Sequence, residues 1–195
     1  MGRKTIEDDV ERRTWQNPER ILTNLGLKPG FVFVDIGCGD GFFALPAAKI
    51  AGLEGKVLGI DIDKTKIARL KDRARYEGLS NIHVKVGRAE NTALCEACAD
   101  IVFFGIVLHD FADLPKVLTN AKRMLKPAGR LVDLDWKKEP MEVGPPLHIR
   151  FSPEQAIEQL RRAGFNIESI RDSPPYHYLI TSRTSAHLPD LGVNR

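Results

Sequence analysis

The stretch Val34-Asp-Ile-Gly-Cys-Gly-Asp-Gly-Phe-Phe-Ala-Leu-Pro-Ala-Ala48 sets Gly37, Gly39 and Gly41 at alternate positions between an apolar strand-like run and an apolar helix-like run. Upstream, Phe31-Val-Phe-Val-Asp-Ile36 is short, apolar and rich in β-branched and aromatic residues, and predicts a first strand. A glycine-rich turn between a strand and a helix lets backbone approach a polar ligand closely and brings helix N-terminal amides beside it. The feature demands a strand, a tight turn and a helix in succession, so the rest of the chain has to supply the sheet that receives them.

That sheet is legible in alternation. Gly41 to about Ala51 predicts a helix, Val57–Asp61 a second strand, and Asp63 to about Tyr76 a helix with Ile67 and Leu70 inward. Ile82–Val86, Ile101–Phe104 and Arg130–Leu134 predict further strands, with a helix over Leu114–Leu125 between the last two. Such alternation implies parallel strands joined by right-handed crossovers, with helices on both faces. The final part departs from it. Ser152-Pro-Glu-Gln155 is a capping box opening a helix that stops at Gly164. Asn166–Arg171 and His177–Ile180, separated by the turn Ser173-Pro-Pro175, are too close for a crossover and must run antiparallel. The expected fold is α/β: a Rossmann-like seven-stranded, mostly parallel sheet ending in an antiparallel hairpin. The expected organisation is a single domain over 1–195, with an N-terminal arm over 1–16, a core over 17–183 and a flexible tail over 184–195. Asn17-Pro18 and Gly26 bracket a short helix leading into the core.

Composition narrows the functional classes. The 195 residues are 43% hydrophobic and 28% charged, ordinary for a globular domain long enough to bury a core. No apolar run approaches the roughly 20 residues of a membrane helix, and the charged N-terminus lacks a signal-peptide core, so the expected location is cytoplasmic. A net charge of +3 with interleaved signs gives no strong nucleic-acid signal. Three cysteines do not suggest a disulfide framework. Cys95-Glu-Ala-Cys98 has the spacing of half a zinc site or a redox pair, but no second pair accompanies it, and the alternative is two spare thiols in a loop. No metal site is expected.

Roughly 20 residues beyond the glycines, Asp61 ends the second strand, where a carboxylate can accept both hydroxyls of a ribose. A dinucleotide site favours Gly-x-Gly-x-x-Gly; here the pattern is Asp35-x-Gly37-x-Gly39-x-Gly41, with a further acid at Asp40. Those acids repel a pyrophosphate and suit a ligand carrying an ammonium and a sulfonium, such as S-adenosylmethionine.

Taken in order and spacing, Val34–Gly41, Gly59–Asp63, Gly87–Glu90, Ala99–Val102 and Leu125–Leu131 resemble the motifs of class I S-adenosylmethionine-dependent methyltransferases, most closely the small-molecule group that includes ubiquinone and menaquinone biosynthesis enzymes. The resemblance spans about residues 18–183. It implies that Asp35, Gly37, Cys38, Gly39, Asp40 and Gly41 line the methionine part of the cofactor, that Asp61 holds the ribose and that Ile62 packs on the adenine. After the third strand the family has Gly-Asp-Ala, whose aspartate binds the adenine amino group. Here Gly87-Arg88-Ala89 stands in its place, so either Glu90 or a backbone carbonyl makes that contact or Arg88 points elsewhere; Arg88, Ala89 and Glu90 are the cofactor-binding candidates of this loop. The implied reaction is methyl transfer to a small-molecule acceptor with S-adenosylhomocysteine as product. The oligomeric state has no sequence warrant.

Ligands of open parallel sheets bind beyond the carboxyl ends of the strands. That edge predicts His109, Trp136, His148, Arg150, Tyr176 and His177 as sharers of one pocket wall, each with a plain alternative as a loop or packing residue. A histidine suits the working pH if the acceptor must lose a proton, which makes His109 the first candidate for a base. Trp15 and the arginines before it either fold over the cofactor as a lid or form a loose arm.

Overall fold

The computed structural model describes residues 9–184. The first eight residues lie outside the described residues, as does all of the expected tail except Thr184, which closes the last strand. Helices α1 (Asp9–Trp15) and α2 (Pro18–Asn24) precede β1 (Val32–Ile36), α3 (Ala44–Ala51), β2 (Lys56–Asp61), α4 (Lys64–Tyr76), β3 (Ile82–Val86), β4 (Ala99–Gly105), α5 (Leu114–Met124), β5 (Leu125–Trp136), α6 (Pro153–Arg162), β6 (Phe165–Ser173) and β7 (His177–Thr184). The seven strands form one sheet in the order β3-β2-β1-β4-β5-β7-β6. All pairings are parallel except those of β7 with β5 and with β6. The fold is the expected Rossmann-like α/β sheet with an antiparallel end.

Each face carries its own core. Phe33, Ile101, Phe103, Val132 and Leu134 pack with apolar residues of α2, α3 and α4. Val34, Ile36, Val102, Phe104 and Leu131 point the other way, toward α5 and α6. The alternation along β1 and β4 thus serves two helix layers, which is why these strands read as continuous apolar runs. The predicted caps are in place: Asn17 accepts from the Arg20 amide at 2.8 Å, Asp63 from the Thr65 and Lys66 amides at 2.8 and 3.1 Å, and Ser152 with Gln155 closes a capping box.

Boundaries moved where the backbone, rather than hydrophobicity, decides. Helix α3 begins at Ala44 instead of Gly41, because Gly41 has φ +100° and cannot continue a right-handed helix. Helix α5 stops at Met124, since Leu125 is already extended and pairs with Ala99. A register shift between Ala99 and Ile101 absorbs the Lys126-Pro-Ala-Gly129 segment, so β5 starts well before Arg130. Strand β7 runs past Ile180 to Thr184 because it is paired on both sides. Cys95 and Cys98 are not the two spare thiols of a loop: they are joined by a disulfide of sequence separation 3. It ties one turn and links no distant elements, which is why so short a spacing leaves no mark on the predicted fold.

Candidate active site

Strand β1 sits between β2 and β4, and the chain leaves it in opposite directions to reach its two neighbours. Such a switch point opens a crevice beyond the carboxyl ends of the strands. The registers Ile36↔Ile60 and Ile36↔Phe104 bring Gly37, Asp61 and Gly105 side by side at its floor. The crevice is a cleft of about 1060 Å³. Asp35, Gly37, Cys38, Gly39, Asp40, Asp61, Ile62, Arg88, Ala89 and Glu90 line it, as do Phe42, Phe43, Val107, Asp110, Phe111 and, from α1, Asp9 and Arg12.

The glycine turn is built differently from the simplest expectation of amides offered to a ligand. The amides of Gly37 and Cys38 donate to the Ile60 carbonyl at 2.8 and 3.1 Å, and that of Gly39 to Asp61 Oδ2 at 2.9 Å. Bare backbone here serves close packing between chain segments. A Cβ on Gly37 would stand 2.7 Å from Val107 Cγ2, and one on Gly41 would stand 2.4 Å from Leu70 Cδ1. Gly41 is accordingly a packing residue beneath α4 and does not line the cleft.

Asp61 is held from both sides, its Oδ1 accepting from the Asp63 amide at 2.8 Å. Each carboxylate oxygen keeps a further lone pair. Beside it Ile62 is 69% exposed, an apolar platform at the end of β2. The loop carrying Ala89 and Glu90 is pinned by Asn120, whose amide donates to both of their carbonyls at 2.8 and 3.0 Å. Nothing in the sequence pattern singles out Asn120, because its partners lie 30 residues away.

Carboxylates dominate the electrostatics. The lining holds seven acidic and four basic side chains, a balance that favours a cationic ligand. Burial, with Asp61 nearby, pushes the Asp35 carboxyl up to about 7 against the pull of Arg12. Burial likewise raises the Cys38 thiol, with Asp35 and Asp61 adding to the effect, so this buried cysteine is no nucleophile.

His109 lies in a short turn after β4, behind the lining. Its Nδ1 is 2.8 Å from both oxygens of Asp135, and its Nε2 is 3.4 Å from Asp110 Oδ1. Burial opposes the imidazolium, but the hydrogen bond and charge of Asp135, joined by Asp110, outweigh it and raise His109 above its ordinary value. With the Asp135 carboxylate accepting at Nδ1, the other nitrogen is left toward Asp110 and the cleft. Asp135 also accepts from the Trp136 amide at 2.7 Å.

The remaining predicted residues sit together, but not on the cleft wall. Trp136 and His177 are each 1% exposed, with ring centroids 4.3 Å apart. Trp15 stacks on His177 at 5.4 Å and meets Tyr176 edge-on at 5.5 Å. Burial, then Arg12, Lys137 and Arg150, brings His177 down to about 3 and keeps it neutral. Arg150 is buried too, donating to the carbonyls of Pro145, Lys137, Glu139 and Val143 at 2.8–3.3 Å. Its guanidinium lies 5.6 Å from the centre of the Trp136 ring. These side chains close the end of the sheet as an aromatic plug, and His148 points outward, exposed. The segment expected to be either a lid or a loose arm is helix α1: Arg12 borders the cleft while Trp15 joins the plug.

Comparison with known proteins agrees with this geometry. Residues 27–166 match the family model described as "Methyltransferase domain". The chain is similar to the Nocamycin O-methyltransferase of Saccharothrix syringae, 33% identical over 57% of this chain and 40% of that protein. It is also similar to a ubiquinone/menaquinone biosynthesis C-methyltransferase of Vibrio cholerae, 29% identical over 80% of this chain and 58% of that protein. The chain therefore spans only about two fifths to three fifths of these curated relatives. A solved S-adenosylmethionine-dependent methyltransferase from Aquifex aeolicus superposes with a TM-score of 0.86 at 28% identity, covering 91% of this chain and 95% of that one.

Proposed function

The chain belongs to the S-adenosylmethionine-dependent methyltransferase family, and from that premise we propose that it methylates a small-molecule acceptor in the cleft at the ends of β1, β2 and β4. The observation that carries the reading is the lining itself: an acid-rich crevice whose ribose-height carboxylate, Asp61, is fixed by two backbone amides. When bound, S-adenosylmethionine supplies a methyl group on a sulfonium, ready for direct displacement and leaving S-adenosylhomocysteine. Asp61 would accept the ribose hydroxyls, and Ile62 and Ala89 would flank the adenine. Asp35 and Asp40 would face the cationic end.

Small-molecule use is supported by the size of the cleft, at the upper end of small-ligand sites, and by the relatives' names. Alignment of acceptor and methyl carbon carries most of such a reaction. For an acceptor that must shed a proton, Asp110 at the cleft would receive it and pass it to His109 Nε2, while Asp135 stabilises the resulting imidazolium. His109 must then start neutral. Its raised pKa places the rate's dependence above the ordinary histidine range: turnover climbs as pH rises through that value, and His109→Gln lowers turnover and flattens the profile. An unaltered rate and profile in the variant would remove His109 from proton transfer.

The reading is tested by incubating the chain with methyl-labelled cofactor and panels of quinol, phenolic and polyketide-like acceptors, alongside RNA and protein substrates. Label on a small molecule supports the proposal. Label confined to RNA or protein replaces it, and cofactor bound but never consumed would leave a binding module.

A further inference from the structure

Cys95-Glu-Ala-Cys98 carries a disulfide that no step of the reaction above uses. A bridge closing so short a loop restrains the unfolded chain far less than one closing a long loop, so stapling the fold is not what it does best. Both cysteines are half-buried, packed against the core beside α5 yet still within reach of solvent. Their spacing suits exchange chemistry, in which one thiolate attacks an outside disulfide and the other resolves the mixed disulfide.

The turn between the two cysteines is docked on the end of α5. The Ala97 amide donates to the Arg123 carbonyl at 2.8 Å and the Cys98 amide to the Met124 carbonyl at 2.9 Å, satisfying carbonyls that a helix end leaves free. The Leu94 amide meets Met124 Sδ at 3.1 Å. Ala97 has φ +46°, in the left-handed region that a residue with a Cβ adopts reluctantly, so the closed turn keeps a shape it does not prefer by itself. Glu96, inside the turn, pairs with the Arg123 guanidinium, but an exposed ion pair contributes little and the two backbone bonds are the firmer hold. Asn120 lies one turn earlier in α5, its Oδ1 accepting from Arg123 Nη1 at 3.5 Å and its Nδ2 donating to the Ala89 and Glu90 carbonyls on the cleft wall. Contacts therefore run without a break from the disulfide's own turn to the wall of the crevice.

We propose that Cys95 and Cys98 are a thiol–disulfide exchange site for small disulfides and thiols of the glutathione class, and that its closed form holds the last turn of α5 and, through Asn120, the Ala89–Glu90 wall. In the closing direction one cysteine thiolate attacks a sulfur of the outside disulfide and expels a thiolate. The second cysteine thiolate then attacks the mixed disulfide and expels the other. One S–S bond forms in the chain for the one broken outside, and the two protons the cysteines lose are taken up by the two released thiolates. Opening lets Ala97 relax, frees the end of α5 and slackens Asn120, so the dithiol form binds cofactor more weakly. The exchange stands by itself, whereas its effect on binding rests on the cofactor reading above.

The test equilibrates the full chain at graded ratios of reduced to oxidised glutathione, traps thiols with a maleimide and counts them by mass. Two thiols are expected to appear and vanish together, with buried Cys38 unlabelled in the native protein. In calorimetry with S-adenosylhomocysteine, the dithiol form and the double variant Cys95→Ser/Cys98→Ser should bind about 5-fold or more weakly than the disulfide form. Linkage requires saturating ligand to shift the exchange constant toward the disulfide by the same factor. Asn120→Ala should bind alike in both states. Amide hydrogen exchange over Ala89–Thr92, expected to be faster in the dithiol form, reads the same coupling with no ligand present. Failure of the native protein to exchange, equal affinity and equal hydrogen exchange in the two forms, or an undiminished difference in Asn120→Ala would each overturn the proposal. Clean thiol exchange with faster hydrogen exchange, but no ligand bound by either form, would sink the cofactor reading and leave the exchange site standing.

Discussion

The two ends of the open edge of the sheet solve opposite problems. At β1, β2 and β4 the chain leaves a crevice, lined by carboxylates and stitched by backbone amides. At β5 and β7 it fills the corresponding space with Trp136, His177, Tyr176 and Trp15 and buries Arg150 among carbonyls. The first region binds by what it leaves unpaired, whereas the second stabilises by what it packs. The difference teaches that residues at the same sheet edge need not share a task, and helix α1 touches both regions, with Arg12 at the cleft and Trp15 in the plug.

The sharpest way to break this division is Trp136→Ala. Removing a fully buried indole should cost about 3–5 kcal/mol of stability, read from urea unfolding. Cofactor affinity in the surviving folded fraction should change far less, and a loss of affinity matching the loss of stability would merge the two regions into one. Asp61→Ala makes the converse change. It should weaken cofactor binding by about 1.5–3 kcal/mol in calorimetry, with a smaller effect on the unfolding midpoint, and unaltered affinity would show that the ribose is held elsewhere.

The gentlest probe is pH. An exposed aspartate titrates near 3.8 and Asp35 near 7, so between these values the folded state holds a proton that the unfolded state has lost. Stability from this group is therefore present at low pH and is lost as pH rises toward 7. Asp35→Asn should flatten the decline in apo-protein stability between pH 4 and 7. It should also weaken binding of the cationic cofactor at pH 8, where the native carboxylate is charged. An unchanged pH profile would mean that other groups govern the decline.

These regions were not equally legible in the sequence. The crevice was, because tight turns, strand-end acids and helix caps are local demands that only a few residue types meet: Asp61, Asp63 and Gly37 are where their spacing put them. What the glycine turn does with its amides was not, since the Ile60 carbonyl that takes two of them lies more than 20 residues away. The plug was foreseen as a gathering of side chains, with the choice between pocket wall and packing left open. Whether Trp136 or His177 faces ligand or core depends on Trp15, more than 100 residues distant, and on a loop whose course no periodicity records. The arginines before Trp15 were left between a lid and a loose arm for a related reason: seven helical residues without a buried apolar face give no amphipathic signal, and it is the rings of Phe42 and Phe43 that show where Arg12 rests.

The four carbonyls that converge on Arg150 bear on how such a protein changes over generations. The segment from Lys137 to Val143 has no strand or helix of its own; its first two residues are tied down by side chains, Lys137 to Pro175 and Asp172 and Lys138 to Gln155. Past them it is the carbonyls of Glu139 and Val143 that meet the guanidinium. Side chains there are free to be exchanged for others, so long as the backbone still turns inward to the same charge.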